Sequence, residues 1–95
     1  MVKVVAKFVI QKDKIDEFKD TIPKIIAETR KEAGCIAYQL FQDVKDANVL
    51  TLLEEWESLE ALDRHMKTTH FVEEIPKLTA LQEKELEINV YNLVM

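Results

Sequence analysis

An α+β fold with one antiparallel sheet of four strands, in the order β-α-β-β-α-β, is predicted by three observations. Segments near both ends and two in the middle alternate apolar and polar residues with the period of two that marks a strand. Between the first and second of these, and again between the third and fourth, apolar residues recur at helical spacing. Ninety-five residues with 47% hydrophobic and 33% charged side chains fit a single domain, residues 1–95. A chain of 11.1 kDa should fold to an accessible surface of about 5,600 Å², which leaves a core but not a generous one.

The first strand is read in Val2, Val4, Ala6, Phe8 and Ile10, which alternate with Lys3, Val5, Lys7, Val9 and Gln11. Asp13 is the expected N-cap of the next helix, where Ile15, Phe18, Ile22, Ile25, Ile26 and Thr29 form an apolar stripe closing near Gly34. Pro23 falls inside that stripe and predicts a kink or a break. The run CIAYQLFQD then places Ile36, Tyr38 and Leu40 on one strand face and Ala37, Gln39 and Phe41 on the other. A polar stretch at 43–48 joins it to VLTLLEEW, a third strand close enough for a hairpin.

Ser58 can cap a helix in which Leu59, Leu62, His65 and Met66 share a face. Thr68 and Thr69 interrupt it, and Phe71, Ile75 and Leu78 mark a further helical stretch despite Pro76. ELEINVYNLV, alternating Leu86, Ile88 and Val90 with Glu87, Asn89 and Tyr91, is the last strand. This order is the split arrangement called ferredoxin-like. The sheet face turned away from the helices would carry Val5, Val9, Ala37, Phe41, Val49, Leu53 and Leu93, too apolar a set for open water. A second copy packed sheet to sheet resolves this, so the expected assembly is a homodimer, a dimeric α/β barrel.

Charge and composition remove several function classes. Thirteen basic against eighteen acidic residues give a net charge of −5, which supplies no attraction for nucleic acid or an anionic membrane. No apolar run reaches the ~18 residues of a membrane span, and the first residues do not read as a signal peptide, so a cytoplasmic protein is expected. One Gly and two Pro leave no glycine-rich loop to cradle phosphate. Cys35, alone, forms neither an internal disulfide nor a soft-metal site. His65 and His70 stand five residues apart, about 140° around a continuous helix, which is not metal-ligand spacing. A break at the threonines would nonetheless let both turn toward one cavity between helix and sheet.

Other side chains could also carry chemistry there. Glu54 lies on an apolar strand face, where a carboxylate is costly unless paired or hydrogen-bonded. Trp56, on the same face, reads either as core or as the aromatic wall of a ligand pocket. Tyr38 either fills the core or brings a phenolic donor to that pocket. Glu55 and Glu57 are expected to face solvent, and Cys35 to pack as a small hydrophobe.

EAGCIAY, LLEEWES and ALDRHMKTTHF, in that order, resemble the antibiotic biosynthesis monooxygenase family. The carrying pattern is acidic-x-Gly-Cys before strand two, Glu-x-Trp closing strand three, and His-x4-His-Phe. Within the family the similarity is greatest to the cofactor-independent quinol monooxygenases. The resemblance implies sheet-to-sheet dimers and an enzyme that uses no flavin, heme or metal. Its substrates would be O2 and a quinol or anthrone, whose anion passes an electron directly to O2. It also implies a pocket lined by Tyr38, Glu54, Trp56, His65 and His70, with His65 or His70 as the base.

The heme-degrading relatives place an Asn on the first strand, a Trp in the second helix and a His ligand beyond. Here Lys7 or Phe8, His65 and Ile75 fall near those places, which argues against heme. HMKTTHF is also similar to the phosphorylated-dione isomerases of autoinducer-2 processing, whose anionic substrate would need Lys67 or Arg64 at the pocket. A dimeric small-molecule binder without turnover is the third reading. The polarity of the cavity separates them: apolar for an aromatic, cationic for a phosphorylated ligand.

Overall fold

The alternation read in the first strand places Val2, Val4, Ala6, Phe8 and Ile10 of β1 (Val2–Ile10) in the core and its lysines in water. The computed structural model describes residues 1–95. After β1 come α1 (Ile15–Thr21), α2 (Pro23–Thr29), β2 (Cys35–Gln42), β3 (Val49–Trp56), α3 (Leu59–Met66), α4 (Thr69–Thr79) and β4 (Gln82–Asn92). The four strands form one antiparallel sheet in the order β2-β3-β1-β4, which is the ferredoxin-like arrangement. Its register aligns Tyr38, Glu54, Val4 and Val90 in one row and Leu40, Leu52, Ala6 and Ile88 in the next. Phe18, Ile22, Ile25, Leu62 and Leu78 from the helices close over that face.

The helical stretch after β1 breaks at Pro23, one of the two outcomes expected there, into α1 and α2. Pro23 has no N–H to continue the ladder of α1 and instead takes the first position of α2, where none is needed. Asp13 is not the cap; Lys14 occupies that position without a side-chain bond, held by its N–H to the Gln11 carbonyl at 2.9 Å. The helical stretch stops at Thr29 rather than near Gly34. Residues 30–34 form tight turns, and Gly34 enters β2 with φ +89°, a conformation open chiefly to glycine. Its carbonyl accepts the Glu57 N–H at 2.8 Å, and a Cβ at this position would lie 2.6 Å from that of Ala61.

Ser58 caps α3 as expected, its Oγ accepting the Ala61 N–H at 3.1 Å. The buried stripe of α3 is Ala61, Leu62 and His65, whereas Leu59 and Met66 are 57% and 43% exposed, so the expected face is rotated. Thr68 ends one helix and starts the next: its Oγ1 donates to the His65 carbonyl at 2.7 Å and accepts the Phe71 N–H at 3.3 Å. This turn redirects the chain between the two histidines. β4 begins at Gln82, three residues earlier than the alternation indicated, and leaves Leu93 beyond the strand.

The sheet's other face shows half-buried Val5, Val9, Ala37, Val49 and Leu53 around Phe41, which is 48% exposed. No helix is long and apolar enough to cross a membrane.

Candidate active site

The helices cover the sheet unevenly and leave a cavity of about 80 Å³ between them. Val4, Ala6, Phe8 and Leu52 form its floor, and Leu62, His65, Phe71 and Ile75 its roof. β4 has little helical cover, so Ile88 and Val90 are about half exposed and, with Met66, make an apolar mouth. Only three lining side chains carry titratable groups: Glu54, His65 and Tyr38. No Lys or Arg reaches the wall.

Glu54 is 5% exposed, on the face of β3 that meets the helices. Two residues along the same strand face, the Trp56 indole Nε1–H donates to its Oε1 at 3.0 Å. Burial pushes the Glu54 carboxyl up to about 7; the indole hydrogen bond opposes that rise, and the nearby Glu32 adds to it. A carboxyl so placed is about half protonated at neutrality and can serve as an acid. The Tyr38 phenol is raised by burial and by Glu54, and so remains a neutral donor.

Trp56→Phe should therefore move Glu54 further up, because the lost indole N–H had favoured the carboxylate. ¹³C NMR titration of the side-chain carboxyl reads this directly. A Glu54 midpoint unchanged or lowered in the variant would refute the role assigned to Trp56.

His65 is 2% exposed and packed on three sides by rings, with centroids 4.6 Å away at Trp56, 5.1 Å at Phe71 and 5.6 Å at Tyr38. Burial lowers its basicity below the ordinary imidazole value, more strongly than Glu32 raises it. The ring is therefore neutral at pH 7. Behind it, a single carboxylate oxygen, Oε2 of Glu32, lies 2.7 Å from both His65 Nδ1 and His70 Nε2.

The five sequence candidates thus separate. Tyr38, Glu54 and His65 line the cavity; Trp56 and His70 lie outside its wall, supporting Glu54 and contacting Glu32 respectively. Glu32 was not among the candidates, although it is the acidic residue of the acidic-x-Gly-Cys pattern. Arg64 on α3 and Lys67 just after it, the cations considered for an anionic ligand, are exposed away from the cavity, and Lys67 pairs with Asp63 at 2.9 Å. Cys35 is partly buried with its thiol raised by burial, which keeps it a poor nucleophile.

Spacing alone weighed two histidines and one cysteine as metal ligands. The fold supplies a different third donor, Glu32, whose ligand-type atoms and those of both histidines lie within 4.8 Å of one another. The two 2.7 Å contacts are, however, hydrogen-bond lengths that satisfy the group as it stands.

Comparison with known proteins gives the same fold and a family. Over 84 residues the chain is 33% identical to an uncharacterised protein of Synechocystis, covering 88% of this chain but only 57% of that longer protein. A Bacillus subtilis protein, YcnE, which carries a provisional monooxygenase name, is 30% identical over 75% of both chains. Among solved structures, a conserved protein from Methanosarcina mazei is 41% identical, with a TM-score of 0.93 over 95% of this chain and 89% of that one. A structure described as an antibiotic biosynthesis monooxygenase superposes with a TM-score of 0.95 at 34% identity over the whole of both chains. The model of the family described as antibiotic biosynthesis monooxygenase matches residues 1–75, and the chain belongs to that family.

Proposed function

We propose that the protein is a cofactor-independent monooxygenase that oxidises a quinol- or anthrone-type aromatic molecule with O2. The observation that carries this reading is the cavity wall: apolar, without a cation, and bearing one neutral imidazole and one carboxyl poised near neutrality. Residues whose environments bring an acid and a base to working pH mark acid–base chemistry.

For an anthrone-type substrate, His65 takes a proton from the reacting CH2 carbon. The carbanion passes one electron to O2, and the two radicals combine into a C–O bond. Protonated Glu54 donates to the distal peroxide oxygen. Loss of the second C–H proton with cleavage of the O–O bond then leaves a carbonyl and water. The sum is CH2 + O2 → C=O + H2O, and the substrate supplies all four electrons. The chain's own tasks are proton transfer, exclusion of water and positioning.

The enclosed volume is about half of the ~150 Å³ that holds benzene in a dry apolar cavity. A bicyclic or tricyclic substrate therefore inserts its reacting edge and rests the remainder on Met66, Ile88 and Val90 at the mouth. The direct test is oxygen uptake with a panel of naphthoquinols and anthrones, corrected for autoxidation with heat-denatured protein. Enzyme-dependent incorporation of one ¹⁸O atom into product is expected; isomerisation of a phosphorylated dione without O2 consumption, or binding without turnover, would refute the assignment.

The homodimer belongs to this reading and is supported by the apolar outer sheet face. The accessible surface of 6018 Å² is also somewhat above the ~5,600 Å² of a compact monomer of this mass. Sedimentation should report about 22 kDa at micromolar concentration, twice the 11.1 kDa chain, and Leu53→Lys should yield monomers by burying an unpaired charge. A wild-type monomer under those conditions would refute the sheet-to-sheet contact. A cytoplasmic setting is supported by the single, unpaired cysteine.

A further inference from the structure

Glu32 is the one acidic side chain that touches both histidines, and it does so through one atom. A carboxylate oxygen only accepts, so each ring nitrogen facing it at 2.7 Å must carry a proton. His65 is thereby fixed with hydrogen on Nδ1 and a lone pair on Nε2. His70 is fixed the other way, with hydrogen on Nε2. Free histidine side chains favour the Nε2–H form, so the state imposed on His65 is the uncommon one. The rings of Trp56, Phe71 and Tyr38 prevent the imidazole from turning to escape it.

The three groups also run from the core toward the surface. Side-chain exposure rises from 2% at His65 to 13% at Glu32 and 17% at His70. Other titratable groups near His65 are Glu54 from β3 and Tyr38 from β2, both on the cavity side. Glu32 thus takes the hydrogen bond of the His65 ring, on the side away from the cavity.

We propose that Glu32 is a positioning residue that locks His65 as an Nε2 base and holds the imidazolium formed there, with His70 fixing the carboxylate from the outer side. Resting on the monooxygenase reading, this deepens it: a proton taken at Nε2 leaves an imidazolium whose Nδ1–H stays on the Glu32 carboxylate. That proton then leaves from Nε2 to the hydroxide freed by O–O cleavage, so the imidazole returns to neutrality with its tautomer unchanged. Locking the tautomer requires no turnover, so that part of the proposal stands or falls without a substrate.

¹⁵N NMR of histidine-labelled protein at pH 8 is the test. Wild type should show His65 protonated on Nδ1 and His70 on Nε2. Glu32→Ala should return His65 to the Nε2–H form and lower kcat by about 10²-fold with little change in KM. Glu32→Gln is the milder variant, able to keep both contacts through its amide oxygen while losing the charge. It should retain the His65 tautomer but move the acidic limb of kcat to lower pH, since the lost charge had favoured the imidazolium.

An Nε2–H His65 in wild type would overturn the lock. An unmoved pH limb in Glu32→Gln would overturn the hold of Glu32 on the imidazolium. Stoichiometric zinc binding that removes both ring protons would replace the hydrogen-bonded lock with a metal site. Failure of every aromatic substrate would overturn the monooxygenase reading, while the tautomers would still decide what Glu32 does.

Discussion

His65→Ala is expected to lower enzyme-dependent oxygen uptake by about 10²–10⁴-fold, the usual contribution of a positioned general base. The loss should fall on kcat, because the side chain acts in proton transfer and contributes little to the apolar area that holds substrate. In the intact protein the rate should describe a bell. Its acidic limb reports protonation of His65, below the ordinary 6.5 because burial disfavours the imidazolium. Its alkaline limb reports ionisation of Glu54 near 7, where the acid loses its proton. The maximum lies between them. In His65→Ala the acidic limb should vanish while the alkaline limb remains. Full oxygen uptake in the variant would remove His65 as the base and leave Glu54 and Tyr38 as the remaining titratable candidates in the cavity.

Gly34→Ala is expected to cost about 2–4 kcal/mol of stability, from backbone strain at positive φ together with overpacking. For a domain of this size that lowers Tm by roughly 10–25 °C, readable by thermal circular dichroism. The two contributions can be separated. The φ of +89° strains any side chain, whereas the 2.6 Å approach involves the Ala61 Cβ alone. Ala61→Gly in the same chain should therefore recover part of the loss, leaving the strain. No recovery in the double variant would show that α3 and the turn do not meet as described. Because Glu32 lies two residues before Gly34 and His65 four after Ala61, the same displacement should loosen the Glu32–His65 hydrogen bond.

Much of this arrangement was legible in the sequence, and the gaps have physical causes. Strands announce themselves by alternation, so β1, the β2–β3 hairpin and the shared face of Glu54 and Trp56 were readable. Ser58 was recognisable because a helix start needs a short polar side chain in a fixed place. Glu32 was not recognised as part of the site, since it sits in an irregular turn with no periodicity, 33 and 38 positions from the histidines it touches. A signal was nonetheless present: the chain's only glycine two residues later marks a turn with one permitted path, and such a turn fixes where its acid points. Trp56 and His70 read as pocket residues because face and spacing report direction but not depth. Each proved to stand one layer behind a lining residue.

Glu54 has a consequence beyond chemistry. In the unfolded chain its carboxyl titrates near 4.5, in the fold near 7, so between those values the native protein binds a proton that the unfolded chain has released. Stability from this group is fully present below 4.5 and drains away as pH rises to about 7, by about 3 kcal/mol in all. Beyond that the loss is complete and constant. Glu54 by itself thus favours mild acid over neutrality, while buried His65, whose imidazolium is disfavoured in the fold, pulls the other way below its ordinary 6.5.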